Sequence, residues 1–160
     1  MHELLDAGRV AHWGVSNFDV DDMQELAALP ALQGRVAPQR ACAANQVYFS
    51  LSQRGPEFSL LPWLHEHGVP LMAYSPIDQG TLARHATLAT IGKPRGLSAA
   101  QVALAWVAMQ PGVVAIPKAA TAAHLRENLD AAEVTLDAGE LQQIDRLFAP
   151  PRRKSPLAMT

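Results

Sequence analysis

Polar side chains gather where four short apolar runs stop. Residues 10–15 lead into Ser16 and Asn17, and residues 44–49 contain Gln46. Residues 69–74 end on Tyr74 and Ser75, and residues 113–116 lead into Pro117 and Lys118. Hydroxyl, amide, phenol and ammonium groups together offer donors, acceptors and one fixed cation to a polar ligand. No one of them says much alone; their weight comes from recurring at the same kind of position. Other chemistries find less support. Ser16 has no Ser-His-Asp partners, which argues against nucleophilic catalysis. His65 and His67 are two residues apart on a helical stretch and face different ways, so they do not make a metal pair. Asp21 and Asp22 read as helix-start acids rather than a carboxylate pair. Cys42, with Arg40 as its nearest cation in the sequence, is read as an inert thiol.

The apolar runs are the elements that must position these groups. Each is short, rich in Val, Ala or aromatics, and bounded by Gly, Pro, Asn or Ser, which is a strand signal. None alternates strictly with polar residues, as expected of parallel strands covered on both faces. A helical pattern follows each run: residues 19–29, 56–67, 98–110 and 121–132. Asp19, Asp21 and Asp22 crowd the first of these starts, Ser98 caps the third and Thr121 the fourth. Leu125 and Leu129 are expected to face inward. Trp63 and Trp106 sit in helical segments and are expected to pack against the sheet. A last helix over 137–148 repeats the signal with an Asp cap and Leu141, Ile144 and Leu147. Residues 3–8 read as the last turns of a helix with a Gly stop, so the chain is expected to open inside a strand-helix unit. Residues 77–97 form an unusually long connection, read either as a loop that closes over a ligand or as a solvated excursion. Residues 150–160, with Arg152, Arg153 and Lys154, are expected to be a mobile tail.

Strand-helix alternation repeated four times implies α/β class and a parallel sheet with right-handed crossovers. A doubly wound sheet satisfies that pattern. The placement of polar residues at every strand end favours a (β/α)8 barrel, whose active face is built there. A whole barrel takes about 250 residues and eight strands, and this chain of 160 residues shows half the strands. The fold expected is therefore the C-terminal half of a (β/α)8 TIM barrel, about four parallel strands with surrounding helices and an extra C-terminal helix.

Composition removes several function classes. Thirteen Lys and Arg against fifteen Asp and Glu give a net charge of -2, which leaves no footprint for nucleic acid or an anionic membrane. No apolar run approaches the roughly 20 residues of a membrane helix. The first residues carry acids where a secretory signal needs a basic start. With a single cysteine, the setting expected is a reducing cytoplasm.

The stretch Gly-Arg-Val-Ala-His-Trp-Gly-Val-Ser-Asn-Phe at 8–18 resembles the G-K-I-R-x-x-G-V-S-N-F signature of aldo-keto reductases. Ala-Asn-Gln-Val-Tyr at 44–48 resembles the family's NQV strand, and Ala-Tyr-Ser-Pro-Ile at 73–77 its AYSPL strand. Ala-Ile-Pro-Lys at 115–118 and His-Leu-Arg-Glu-Asn at 124–128 resemble IPK followed by R/H-x-R-E-N. The motifs occur in family order and run over nearly all of residues 1–160. Lys118-Ala119 and His124 look most like bacterial reductases of small aldehydes such as methylglyoxal.

The resemblance implies an NADP(H) site. Ser16, Asn17 and Gln46 would hydrogen-bond the nicotinamide carboxamide, a group with both donors and acceptors. Tyr74 would stack on the nicotinamide ring. Ser75, Ile77, Gln79 and Gly80 would cover the pyrophosphate. Lys118 would pair with the 2′-phosphate and favour NADP(H) over NAD(H). Glu127 and Asn128 would hold the adenine edge, and His124 stands where the family often has a phosphate-binding Arg. Ala119 replaces a frequent Ser or Thr and would lose one phosphate hydrogen bond, and because a neutral His124 is a weaker phosphate partner than Arg, affinity is expected to be weaker than in an Arg version. The family's catalytic Asp, Tyr, Lys and His all lie in its first four strand units, and none of those motifs occurs here. No catalytic or metal residue is therefore assigned. The expectation is a fragment of a carbonyl reductase that lacks turnover alone. The alternatives are a non-catalytic nucleotide-binding or interaction module, and one half of a split barrel. Half a barrel leaves two sheet edges open, so self-association through them is expected.

Overall fold

The computed structural model describes residues 1–29, 32 and 41–159. Four strands form one sheet: β1 (Trp13–Ser16), β2 (Cys42–Tyr48), β3 (Leu71–Tyr74) and β4 (Val113–Ala115). All neighbours are parallel, and the spatial order is β1-β2-β3-β4. A doubly wound sheet reverses its strand order at a switch point. Here the chain advances one strand at a time in one direction. Right-handed crossovers then place every connecting helix on the same face. That is the arrangement of a barrel wall, and it excludes the doubly wound alternative.

Seven α-helices accompany the strands among the described residues: α1 (His2–Asp6), α2 (Val20–Ala28), α3 (Leu60–Glu66), α4 (Ala86–Gly92), α5 (Ala99–Ala108), α6 (Ala122–Ala132) and α7 (Ala138–Leu147). Their starts are written in the sequence. Asp19 caps α2, Ser98 caps α5 and Asp137 caps α7. Each makes a reciprocal capping box with the third helical residue, satisfying amides that no carbonyl of the helix can reach. Thr121 caps α6 through the His124 amide. The helix expected over 56–67 arrives in two pieces, a 3-10 turn at Gly55–Glu57 and then α3. Pro62 explains the division. It lacks an N–H and its ring excludes a preceding helical turn, so it is tolerated only in the first turn of a helix.

Residues 77–97 are not a bare loop. They contain two 3-10 turns, α4 and a third 3-10 turn. Leu82, Leu88 and Ile91 are buried in the main core. The segment holds its own apolar anchors, and α4 packs on α5. Its Leu and Ile residues are too sparsely spaced to read as a periodic helix.

The core lies between sheet and helices. Val47, Leu71 and Ala73 point into it from the strands, and Leu60, Leu64, Val102, Ala105, Trp106 and Ile144 from the helices. The Phe49 and Trp106 rings meet at 5.4 Å. Trp63 instead stacks on His67 at 3.8 Å and is only partly buried. Arg54 closes one margin of the core. Its guanidinium lies 4.8 Å from the Trp106 ring centre and binds Glu57 twice, Asp145 at 2.7 Å and the Phe148 carbonyl at 2.5 Å. Burial works against that charge, but the Glu57 and Asp145 carboxylates outweigh it and raise the Arg54 pKa.

One expectation about the margins meets a different structure. Leu125 and Leu129 do not face a core: they are 55% and 64% exposed. They line an open groove with Val114, Ile116 and Pro117 along the outer edge of β4. The stripe points toward a neighbour that the described residues do not supply. The segment after α7 makes contacts with the rest of the fold. Lys154 Nζ reaches Asp21 at 2.5 Å and Asp19 at 3.3 Å, and Leu157 packs against the core. Thr160 lies outside the described residues.

Candidate functional site

Register decides which polar groups share a face. Ser16 pairs with Gln46, Gln46 with Met72 and Met72 with Val114. Register partners in adjacent strands point the same way, and residues two apart keep that face. Ser16, Gln46 and Tyr74 therefore share the face opposite the helices, together with Tyr48, the register partner of Tyr74. The other row carries Val15, Asn45, Leu71 and Val113 toward the helices.

Local chemistry sets the geometry at β1. Gly14 lets two strands approach closely, since a Cβ there would sit 2.6 Å from the Ala44 carbonyl oxygen. The Ser16 hydroxyl donates to the Gln46 carbonyl at 3.0 Å, and the Asn17 amide donates to the same oxygen at 2.9 Å. Asn17 then turns into the left-handed region at φ 58°, which Asn tolerates better than most residues. The Tyr74 hydroxyl donates to Asn17 Oδ1 at 3.2 Å. This leaves the Asn17 amino group as a donor and the Ser16 oxygen as an acceptor, beside the Gln46 amide. A primary carboxamide needs that combination. Asn45, fully buried, supports the corner from behind by donating from Nδ2 to the Phe18 carbonyl at 2.8 Å.

After β3 the backbone folds tightly. Ser75, Asp78 and Gln79 all have φ near +50°, and Gly80 follows at +92°. Each non-glycine residue there costs on the order of 1–2 kcal/mol, which the turn's own bonds, from the Asp78 amide to the Ser75 carbonyl at 2.9 Å and from the Gly80 amide to the Ile77 carbonyl at 3.0 Å, offset in part. Ser75, Pro76, Ile77, Gln79, Gly80, Ile116 and Lys118 line one concavity of about 420 Å³. The structure thus brings together five of the residues assigned from the sequence: Ser75, Ile77, Gln79, Gly80 and Lys118. Lys118 is a cation in that lining. Asn128 lines the adjoining groove along β4, and Ile116 borders both. His124 and Glu127 lie exposed on the first turns of α6 and line neither hollow.

One contributor went unassigned in the sequence. Tyr48 stacks on Tyr74 with ring centres 5.5 Å apart, and its hydroxyl donates to Asp78. Burial, and then the Asp78 carboxylate, push its phenol well above the usual tyrosine range. The available signal was its position two residues after Gln46 on one strand, which returns it to the same face. Among the described residues no group of three or more His, Cys, Asp and Glu is placed to hold a metal. No described helix is long and apolar enough to cross a membrane. Burial raises the Cys42 pKa, which keeps the thiol protonated near neutrality.

A sequence profile described as the aldo/keto reductase family matches residues 1–149. The chain belongs to the aldo/keto reductase family. It is 43% identical over 164 aligned positions to methylglyoxal reductase YeaE of Escherichia coli, which covers 99% of this chain and 55% of that protein. It is 32% identical to a glyoxal reductase of Bacillus subtilis, covering 92% of this chain and 49% of that one. Among solved structures, an aldo/keto reductase from Klebsiella pneumoniae in complex with NADP and acetate superposes with a TM-score of 0.89 at 43% identity. That match covers 100% of this chain and 56% of the other. The chain spans about half the length of the relatives it matches, so its four parallel strands correspond to part of an aldo-keto reductase barrel.

Proposed function

We propose that this chain supplies the NADP(H)-binding side of an aldo-keto reductase whose substrates are small aldehydes or ketones. One observation carries the reading. A carboxamide-like set, Ser16, Asn17, Gln46 and Tyr74, stands on the open face of the sheet. The Lys118 concavity begins at Ser75, the residue after Tyr74. The fit to the cofactor is chemical: neutral donors and acceptors suit the carboxamide, an aromatic ring suits the nicotinamide, and a cation suits phosphate. Ser75, Ile77, Gln79 and Gly80 would wall the pyrophosphate, with His124, Glu127 and Asn128 toward the adenosine end. When bound, the cofactor supplies the hydride. This chain's residues bind it and orient one ring face. Small carbonyl substrates are suggested by the relatives named for methylglyoxal and glyoxal. A cytoplasmic setting, with Cys42 reduced, accompanies the reading.

NADPH titration followed by fluorescence tests it. Binding should be measurable, and Lys118→Ala should erase a preference for NADPH over NADH. Dissociation above about 1 mM, a binding free energy weaker than roughly -4 kcal/mol, would sink the reading. No residue of this chain is assigned to proton transfer, so the purified chain should not oxidise NADPH in the presence of methylglyoxal. Measurable turnover would overturn that part.

A second reading, one half of a split barrel or an interaction module, draws on the open margins. Val114 is 50% exposed beside Leu125 and Leu129, and apolar surface at a free sheet edge favours association. Light scattering should find species larger than a monomer. A clean monomer with a sharp cooperative melt would count against it.

A further inference from the structure

Within residues 75–80, every residue but Asp78 lines the Lys118 concavity. Asp78 is also the first of two consecutive non-glycine residues held in the left-handed region. Its carboxylate is turned away from the hollow and accepts the Tyr48 hydroxyl. Tyr48 is itself fixed: it is buried, and its ring lies against Tyr74 at an interplanar angle of 24°. Burial and the neighbouring carboxylate keep its phenol protonated and able to donate.

We infer that Tyr48 is a positioning residue for the anion pocket: its hydroxyl anchors the left-handed turn at Asp78–Gln79 and holds the Asp78 carboxylate away from the phosphates that Gln79, Gly80 and Lys118 would meet. The inference rests on the NADP(H) reading above for its ligand, but the anchoring is a property of the free protein. Two effects follow from one hydrogen bond. The turn gains an external support for a backbone that local sterics disfavour. An acid next to an anion site is kept from opposing the Lys118 charge by a neutral donor.

Three variants separate these effects: Tyr48→Phe, Asp78→Asn and the double variant. Phe keeps the ring against Tyr74, and Asn keeps an acceptor for the hydroxyl while removing the charge. In the free protein, hydrogen exchange at amides 78–81 should speed up by about fivefold or more in Tyr48→Phe and stay near wild type in Asp78→Asn. NADPH dissociation should weaken by about tenfold in Tyr48→Phe, the scale expected for losing a hydrogen bond to a charged group. The double variant should recover a large part of that loss, because the displaced carboxylate no longer carries charge. Unchanged exchange and unchanged affinity in Tyr48→Phe would overturn the inference. A double variant as weak as Tyr48→Phe would overturn the carboxylate half of it. Should the wild-type chain fail to bind NADPH, the proposed function falls, and the exchange data alone then decide for or against the anchor.

Discussion

Helices α5 and α6 bracket β4 in the chain and end in opposite surroundings: α5 is apolar at every position but Gln101, whereas α6 sets Leu125 and Leu129 among polar residues. On α5, Val102, Ala103, Ala105, Trp106 and Val107 are all buried. On α6 only Ala131 is buried, while Leu125 and Leu129 stand in solvent. The difference lies in the neighbours. α5 is wedged between α4 and α6 over β4, whereas the substantial packing of α6 is with α5. An apolar stripe records that a face is meant to be covered. It does not record what covers it.

The comparison is broken most directly by truncating one residue on each helix. Trp106→Ala should lower unfolding free energy by about 3–5 kcal/mol in urea titrations, since it removes the partner of Phe49 and the platform under Arg54. Leu129→Ala should change it by no more than about 0.5 kcal/mol. Equal losses would mean that α6 is covered in solution, and would place an association partner on it. The second step sharpens that point. Leu125→Glu with Leu129→Glu should shift light scattering toward the monomer with little change in the melt. Persistent self-association would move the contact elsewhere.

The same contrast explains what was legible in the sequence. Caps are local chemistry, so Asp19, Ser98, Thr121 and Asp137 marked helix starts to within a residue. Alternation implied a parallel sheet, and the polar residues at the strand ends favoured the barrel over a doubly wound sheet. Ser16, Gln46 and Tyr74 could be placed at the same end of the strands from the sequence, while the face they share followed only from the register, which a one-residue slip would reverse. The Tyr48–Asp78 hydrogen bond was not legible, because it joins β2 to a turn 30 residues later and depends on left-handed angles that no composition rule predicts. The inward reading of Leu125 and Leu129 failed for the reason already given. Residues 77–97 looked like loop because their buried Leu82, Leu88 and Ile91 belong to separate short turns and a seven-residue helix, each too brief to show a period.

The start of α2 offers a smaller test at the opposite margin of the sheet, beside β1. Burial pushes the Asp19 carboxyl up, but the Asp22 and Asp21 amides and the Lys154 ammonium outweigh it, leaving its pKa below the ordinary value. A depressed carboxylate stabilises the folded state above its unfolded value, near about 3.9, and loses that contribution as pH falls through the folded value. Asp19→Ala should cost about 1 kcal/mol at neutral pH, the usual worth of such a cap. The cost should shrink in acid, below the folded value. A pH-independent loss would assign the effect to packing around Met23 rather than to the cap.

Lys154 gives the smallest effect and the cleanest contrast with the open edges. It sits after α7, where it and Leu157 make contacts, whereas the regular elements β4 and α6 are not fully covered. Its hydrogen bonds to Asp21 and then Asp19 raise its pKa. The pairing is thus complete below the ordinary lysine value and is lost as pH rises through the folded one. Both ends of the bridge are largely solvated, so salt should screen it readily. Lys154→Ala should leave the melt essentially unchanged and still free the tail, seen as faster exchange and proteolysis around Leu157. If neither accelerates, the apolar contact of Leu157 alone docks the tail, and the charged strap is incidental to it.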